Sequence, residues 1–215
     1  MIVADGMGGC NRGDYASKVT VDFITNEFKK QKKFIFKFMS KFWLRNLINK
    51  INRIIFENNE NSKIYFNSGT TVIVAIIHKN NLIITNVGDS RAYLYINNLL
   101  IRLNEDQSYI NFLEKTDQIK KKEIEKCKNQ NNILLNSLGT YPSIMFKLKS
   151  LRYKTGSILL CSDGLYNNLS EKEIIEFLDS NKNTKDKVTE LIKKANFNGG
   201  SDNITAALLV RKLAI

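Results

Sequence analysis

Four aspartates occur in tight, glycine-associated turns beside apolar stretches, where their carboxylates could hold a cation. They are Asp5 in VADGMGG, Asp89 in NVGDSRAY, Asp163 in LLCSDGLYNNL and Asp202 in GGSDNITAALLV. A carboxylate fixed on a turn at a strand end is a rigid oxygen ligand, and several that converge bind hard divalent ions such as Mg²⁺ or Mn²⁺. Asp-Gly and Gly-Asp are also ordinary turn dipeptides. Spacing alone does not show convergence, so a purely structural role for each turn stays open.

Two classes of enzyme are excluded by the motifs they need. A cysteine-dependent phosphatase requires Cys-x5-Arg, but the sixth residue after each cysteine is Ala16, Ile133 or Asn167. A P-loop enzyme requires GxxxxGK followed by Ser or Thr, and this motif does not occur in the sequence. The cysteines themselves are an odd number at unrelated spacings, which is neither a disulfide framework nor a zinc pattern: Cys10, Cys127 and Cys161. This usage favours a reducing cytoplasm.

The chain has 215 residues, one proline and no Gly/Ser-rich linker, so we expect residues 1–215 to form one domain. Its formal charge of +12 suits nucleic acid, an acidic partner or anionic lipid. Because the lysines are spread along the sequence, a general surface charge is favoured. The densest lysine run, residues 29–41, also carries aromatic residues and is predicted to cover a helix junction. The longest apolar run, Val72 to Ile77, is too short to span a bilayer.

Hydrophobic periodicity predicts the elements that carry these turns. Apolar residues at helical spacing predict one helix from Gly13 to about Phe28 and a second through Leu44 to Ile55. A period of two then follows, broken by short Asn, Gly and Asp turns, and predicts an antiparallel meander of four strands. These strands are Gly69 to Ile77, Leu82 to Val87, Arg91 to Ile96 and Leu99 to Leu103.

The second half of the chain repeats the mixture of strands and helices. The polar stretch over residues 104–132 is predicted to form two short helices. Further strands are predicted at Ile144 to Leu148, Ser157 to Cys161 and Ile204 to Val210, and helices at Glu171 to Leu178 and Lys185 to Ala195. Pairs of helices flanking many antiparallel strands indicate an α+β layered sandwich.

The order of the motifs resembles that of bacterial PP2C (PPM) protein phosphatases, which are metal-dependent and act on phosphoserine and phosphothreonine. The motifs that carry the resemblance are VADGMGG, SGTTVIVAII, NVGDSRAYLY, EDQS, LLNSLG, LLCSDGLYNNLS and GGSDNIT. They extend from residue 2 to about residue 210 in the family's order. The resemblance implies a four-layer αββα sandwich of two antiparallel sheets flanked by helix pairs.

The resemblance also implies roles for the residues in these turns. Asp5 matches the aspartate that bridges two Mg²⁺ or Mn²⁺ ions, and Gly6 offers its carbonyl to one of them. Asp163 and Asp202 match the pair that completes the shell of the first ion. Asp89 matches the ligand of a third, weaker ion, and Asn203 would hydrogen-bond near the bound waters. Activated water would then attack phosphorus in line.

Departures from the family pattern keep two interpretations open. The family carries a phosphate-gripping arginine and an acidic ligand of the second ion ahead of VADGMGG, so the resemblance implies that the first strands are missing. Either an active phosphatase or a catalytically impaired binding module on the same fold is compatible with this. Met7 stands where many eukaryotic relatives have a histidine proposed as general acid, and bacterial relatives share the methionine. Cys10 is expected to be a partly buried spectator thiol, with a redox switch as the alternative.

The partners expected from the resemblance are phosphoprotein substrates and a bacterial serine/threonine kinase, with the phosphatase acting as a cytoplasmic monomer. A basic nucleic-acid-binding domain is a third hypothesis, but the aromatics form no RNP-like stripe and the turns at the strand ends are acidic. We therefore expect neither a nucleic acid nor a membrane partner.

Overall fold

The computed structural model describes residues 1–7, 12–31, 37–62, 67–115 and 133–212 of the chain. Their strands are Ile2–Val3 (β1), Gly6–Met7 (β2), Gly69–Thr70 (β3), Val72–His78 (β4), Asn81–Val87 (β5), Arg91–Ile96 (β6), Leu99–Arg102 (β7), Leu148–Arg152 (β8), Gly156–Cys161 (β9) and Ala206–Arg211 (β10). Their helices are Arg12–Lys30 (α1), Lys37–Asn61 (α2), Tyr109–Lys115 (α3), Asp163–Tyr166 (α4), Glu171–Asp179 (α5) and Thr184–Phe197 (α6).

The strands form two four-stranded antiparallel sheets and one short ribbon. The first sheet has the order β1-β4-β5-β8, and the second has the order β10-β9-β6-β7. The ribbon pairs β2 with β3, placing Gly6 opposite Thr70. The helix pair α1 and α2 packs on the outer face of the first sheet, and α5 and α6 pack on the outer face of the second.

Alternating side chains give each sheet two buried faces, and β4 shows the pattern most clearly. Val72, Val74 and Ile76 face the α1 and α2 layer. Ile73 and Ala75 face the opposite way, into the core between the two sheets. Because successive side chains of a strand point to opposite faces, a strand buried on both sides reads as a continuous apolar run.

Strand β9 of the second sheet is likewise buried on both faces. Ile158 and Leu160 point into the core between the sheets, and Leu159 and Cys161 point toward α5 and α6. The described residues therefore form three hydrophobic cores in four layers, and the predicted αββα sandwich is confirmed. Cys161 is buried in the core.

The predicted four-strand meander is wrong at its centre. Strands β4 and β5 pair in the first sheet and β6 and β7 pair in the second, so the chain changes sheets between Val87 and Arg91. Gly88 has φ +97°, and a Cβ there would lie 2.7 Å from Cγ2 of Thr71. The turn at Gly88 and Asp89, predicted to join two paired strands, is instead the crossover between the sheets. The prediction failed because local turn chemistry does not specify which strand a segment pairs with.

The strand predicted at Ile144 to Leu148 begins only at Leu148. Ile144 and Phe146 still pack against the first core, which explains their alternating pattern. The backbone joins β5 only where Leu148 lies opposite Thr85. Beyond that point the segment at Glu105 approaches β5, since its carbonyl accepts a hydrogen bond from Asn86 at 3.0 Å.

Of the two helices predicted over residues 104–132, α3 lies within the described structure, and residues 116–132 lie outside it. Cys10 and residues 32–36 of the lysine run also lie outside the described residues. Among the helices that are described, none is long and apolar enough to cross a membrane.

Candidate active site

Asp5 follows β1 and is held through its main chain by two neighbouring threonines. Its N–H donates to Oγ1 of Thr71 at 3.1 Å. Its carbonyl accepts from the N–H of Thr71 at 2.8 Å and from Oγ1 of Thr70 at 2.9 Å. Both threonines are buried. These bonds fix the backbone of Asp5 without using its carboxylate.

Gly6 follows Asp5 and is exposed on one side. On its other side it packs against the first turn of α1. A Cβ on Gly6 would come within 2.2 Å of the carbonyl oxygen of Gly13. A Cβ on Gly13 would in turn lie 2.6 Å from the carbonyl carbon of Gly6. Neither position accommodates a side chain, so both glycines are needed for this contact. It places the start of α1 beside Asp5.

Asp163 and Asp202 are brought together by neighbouring strands of the second sheet. Asp163 follows β9 and opens α4, and Asp202 precedes β10. Ser162 joins the two segments: its hydroxyl donates to the carbonyl of Asn203 at 3.2 Å and accepts from the N–H of Thr205 at 3.0 Å. A Cβ on Gly164 would lie 2.5 Å from the carbonyl oxygen of Asn203. The two motifs therefore lie in contact.

Asp202 and Asn203 lie on the exposed rim of this site. The carboxylate of Asp202 accepts a hydrogen bond from the N–H of Asn203 at 2.7 Å. The side chain of Asp202 is thereby oriented by its own loop, and solvent or a ligand can reach it.

Asp89 reaches the same end of the molecule through the crossover between the sheets. Oγ1 of Thr71 lies 2.8 Å from Oγ of Ser90, so Thr71 contacts both the Asp5 and the Asp89 segments. The hydroxyl of Tyr166 donates to the carbonyl of Asp89 at 3.2 Å. The crossover that the sequence did not predict is therefore what places Asp89 near Asp163.

An ion-pair network centred on Asp106 stabilises the region around Tyr166 and the Asp89 loop. The guanidinium of Arg91 lies 3.4 Å from the ring centroid of Tyr166 and donates to Asp106 at 2.8 Å. Asp106 is also paired with Arg102. A delocalised guanidinium is suited to stacking and to pairing with a carboxylate at the same time. The network fixes Tyr166, whose hydroxyl in turn holds the Asp89 loop.

The carboxylates influence one another strongly. Burial is the largest of the causes that raise the pKa of Asp5 to about 7, followed by the charge of Asp163, a side-chain hydrogen bond with Asp163, and the charges of Asp202 and Asp89. Burial and the charge of Asp202 raise the pKa of Asp163. Burial and the charges of Asp163 and Asp106 raise the pKa of Asp89 to about 6. Like charges near one another disfavour ionisation, and a bound cation would favour the ionised form of these carboxyls.

The donor set fits a hard, partly hydrated ion. Oδ1 of Asp163 is buried and has no hydrogen-bond partner, which is costly unless something binds there. Among the described residues, no three Asp, Glu, His or Cys side chains are close enough to enclose an ion by themselves. Charges influence a pKa over longer distances than a metal ion can span between its ligands. The aspartates can therefore shift one another's pKa values while waters and the carbonyl of Gly6 supply the remaining ligands of an ion. Mg²⁺ usually retains several waters and takes one or two carboxylates.

Residues 1–208 match the protein phosphatase 2C family. The chain belongs to this family. Within it, the chain is 37% identical over 214 residues to a serine/threonine phosphatase, Stp, of Listeria welshimeri, covering 99% of this chain and 84% of that protein. It is 32% identical over 223 residues to the protein phosphatase PhpP of Streptococcus pneumoniae, covering 97% of this chain and 84% of the relative.

Solved structures of the protein phosphatase 2C fold superpose closely on this chain. The serine/threonine phosphatase Stp1 of Staphylococcus aureus matches with a TM-score of 0.90 at 30% identity, covering 99% of this chain and 83% of that one. The S. agalactiae serine/threonine phosphatase matches with a TM-score of 0.91 at 33% identity, covering 98% and 86% respectively. The resemblance stated from the motifs is confirmed, and the chain is a protein serine/threonine phosphatase.

Several residues that shape this phosphatase 2C site were not singled out from the sequence. The sequence offered a signal in the SGTT and CSDG motifs, where small hydroxyl residues adjoin apolar strands. A buried hydroxyl beside an apolar strand must find a partner, and here the partners are the backbones of the aspartate turns. The residues missed are Thr70, Thr71, Ser90, Ser162, Arg91 and Asp106.

Proposed function

We propose that the chain hydrolyses phosphoserine and phosphothreonine in protein substrates at this acidic end, with two Mg²⁺ or Mn²⁺ ions and a third, weaker one. Asp5 would hold both of the first two ions, the carbonyl of Gly6 would bind one of them, and Asp163 and Asp202 would complete the set of ligands of the first ion. Asp89 would share the third ion with Asp163. When bound, the ions lower the pKa of water and neutralise charge on the phosphoryl oxygens.

The observation that carries this proposal is the mutual effect of carboxylates delivered by separate segments. Asp5 lies next to the first sheet, and Asp163 and Asp202 lie at strand ends of the second, yet their charges raise the pKa of Asp5. Proteins seldom gather like charges without a counterion, and groups with shifted pKa values cluster at functional sites. The partnerless Oδ1 of Asp163 adds a specific position for a cation.

The protein's own part in the reaction is to position groups rather than to transfer protons. The hydrogen bonds of Thr70 and Thr71 fix the main chain of Asp5. The side-chain amide of Asn203 would orient water at the exposed rim of the site. Met7, which follows Gly6 in β2, has no ionisable group. The proton needed by the departing serine or threonine oxygen would therefore come from water.

We also propose that the enzyme works as a monomer in the cytoplasm on proteins phosphorylated by a bacterial serine/threonine kinase. The bacterial origin of the phosphatases it resembles supports this setting. Three cysteines at unrelated spacings suit a reducing compartment.

Phosphate release from a phosphothreonine peptide tests the proposed reaction. Without added Mn²⁺ or Mg²⁺ the chain should be inactive, and with either ion it should turn over. The variant Asp163→Asn should lose at least about a hundredfold in rate, since removing one electrostatic partner of a transition state costs roughly 3 to 4 kcal/mol.

The matched control is Asp22→Asn, which makes the same charge change on the exposed side of α1. It should retain the rate of the parent chain. Unchanged metal-dependent turnover by Asp163→Asn would show that Asp163 is only a turn residue. Binding of Mn²⁺ and phosphopeptide without turnover in the parent chain would support the binding-module alternative.

A further inference from the structure

One end of the first helix layer exposes aromatic and apolar side chains among lysines. Phe28 is 48% exposed, Met39 is 39% exposed and Phe42 is 66% exposed. We name this surface the basic aromatic patch, and it consists of Phe28, Lys29, Lys30, Met39, Lys41, Phe42 and Trp43. Large exposed apolar side chains that occur together usually mark a site of interaction.

Antiparallel packing of two helices creates the basic aromatic patch. At one end of the pair, Nδ2 of Asn58 donates to the hydroxyl of Tyr15 at 2.6 Å. At the other end, the rings of Phe28 and Trp43 meet edge to face with centroids 6.1 Å apart. The end of α1 and the start of α2 are thus brought together, although they are separate helices.

The charge around the patch is of one sign. The described basic residues between 28 and 56 include Lys29, Lys30, Lys41, Arg45, Lys50 and Arg53, and the sequence has no Asp or Glu over this range. The nearest preceding acid, Glu27, is paired with Lys30 at 2.6 Å. The surface therefore suits a strongly anionic partner.

The patch lies at the opposite end of α1 from the acidic site. Gly13 packs against Gly6 at the start of the helix. Phe28 lies about 22 Å further along the axis at 1.5 Å per residue. A partner bound at the patch would leave the catalytic end free.

We propose that the basic aromatic patch docks the phosphatase on an anionic lipid surface. Phe28, Met39 and Phe42 would enter the boundary between headgroups and acyl chains, while Lys29 and Lys41 meet lipid phosphates. This combination of lysines with Phe, Trp and Met on a helix is typical of interfacial membrane binding.

This proposal departs from the expectation that the chain has no membrane partner. That expectation rested on lysines being spread along the sequence, whereas folding collects several of them with aromatic side chains at one end. On a membrane, the acidic site would face away from the lipid and would remain open to soluble phosphoproteins.

Trp43 is the only tryptophan of the chain and reports directly on the patch. Its emission should shift to the blue with vesicles containing about 30 mol % phosphatidylglycerol, and brominated lipid should quench it. Pure phosphatidylcholine vesicles should produce neither effect. Cosedimentation with the same vesicles gives the affinity, which should fall sharply in high salt.

Two pairs of variants distinguish vesicle binding through the basic aromatic patch from binding through the overall charge of the protein. Phe42→Ser should weaken vesicle binding by roughly tenfold or more, because a buried Phe contributes on that scale. Its control, Phe197→Ser, removes an 84% exposed Phe from the other helix layer and should have no effect. Replacing Lys29 and Lys41 by Gln should cost about fivefold for each lysine. Lys172→Gln with Lys185→Gln, on α5 and α6, is the matched charge control.

Equal losses in both charge pairs would attribute binding to the net charge of the protein and overturn the proposal. Equal affinity for soluble polyglutamate, with unchanged Trp43 emission, would point instead to an acidic protein. Absence of binding to anionic vesicles would also refute it. All variants should hydrolyse a soluble phosphopeptide at the parent rate, which shows that they are folded and keeps this test separate from that of the catalytic site.

Discussion

The pKa of Asp5 is raised to about 7 and that of Asp89 to about 6, against an ordinary value of 3.8. In both cases burial is the largest cause, and neighbouring carboxylates add to it. The folded state therefore binds more protons than the unfolded state between about pH 4 and pH 7. By linkage, the free energy of unfolding of the metal-free protein falls as pH rises through this range.

We expect the metal-free protein to be more stable at about pH 5.5 than at about pH 7.5, by on the order of 1 to 2 kcal/mol from these groups. In Asp163→Asn the difference should shrink, because one of the repelling charges is gone. Stability at the higher pH should stay level or rise in this variant. Urea unfolding in the presence of a chelator measures both quantities, and Asp22→Asn should follow the parent chain.

A marked loss of stability in metal-free Asp163→Asn would contradict this view. It would mean that the carboxylate of Asp163 stabilises its turn through hydrogen bonds, as turn aspartates often do. The repulsion within the acidic site would then be a minor contribution to the free energy of unfolding.

At the scale of elements, Thr71 connects the ribbon β2-β3, strand β4 and the crossover into the second sheet. Its hydroxyl contacts the N–H of Asp5 and the hydroxyl of Ser90, and its methyl group lies against Gly88. Thr71 is 3% exposed, so water cannot easily replace these bonds. A single hydroxyl therefore fixes two of the four aspartate turns relative to each other.

Thr71→Val keeps the shape of the side chain and removes this hydroxyl. We expect a loss of about 1 to 3 kcal/mol in stability from the unpaired donor, with a lower affinity for Mn²⁺ because Asp5 is no longer clamped. Urea unfolding and Mn²⁺ titration measure the two effects. Thr71→Ser should recover most of both, since it restores the hydroxyl.

The control for this substitution is Thr189→Val on the exposed face of α6, where the hydroxyl bonds only to its own helix at the carbonyl of Lys185. Its stability should change by less than about 0.5 kcal/mol. If Thr71→Val were as mild as this control, the hydroxyl network would not be what holds the aspartate turns together.

At the scale of the whole molecule, the acidic site lies across both sheets. Asp5 follows β1 at the edge of the first sheet, and Asp163 and Asp202 flank β9 and β10 of the second. The core between the sheets, including Ile84 and Leu160, holds these halves together in the metal-free protein. Ions bound to carboxylates of both halves would add a second connection at one end.

Mn²⁺ should therefore stabilise the entire sandwich against unfolding. At a free concentration of one hundred times Kd the gain is about 2.7 kcal/mol, which corresponds to a rise in Tm of roughly 5 to 10 °C for a chain of this size. Calorimetry with and without Mn²⁺ measures this shift. Asp163→Asn should lose most of it and Asp22→Asn should keep it. A shift of the same size in Asp163→Asn would indicate binding elsewhere on the surface.

The sequence by itself determined the elements whose signals are local. The helical spacing of Leu44, Leu47 and Ile48 required a buried helix, and the structure extends it to Lys37–Asn61. The apolar run from Val72 to Ile76 indicated a strand, which the structure confirms and covers on both faces. The motifs around the four aspartates, in their order, were sufficient to indicate the family. Each of these signals depends on neighbours within a few residues, which a sequence shows directly.

Only the tertiary structure decided which segments meet. No local pattern distinguishes a hairpin at Gly88 from a crossover between sheets, because the choice depends on strands that are distant in sequence. The contacts of Thr71 with Ser90 and of Ser162 with Asn203 likewise join residues 19 and 41 positions apart. The patch formed where Phe28 meets Trp43 arises in the same way. Through-space packing selects these partners, and the sequence gives only the side chains available for it.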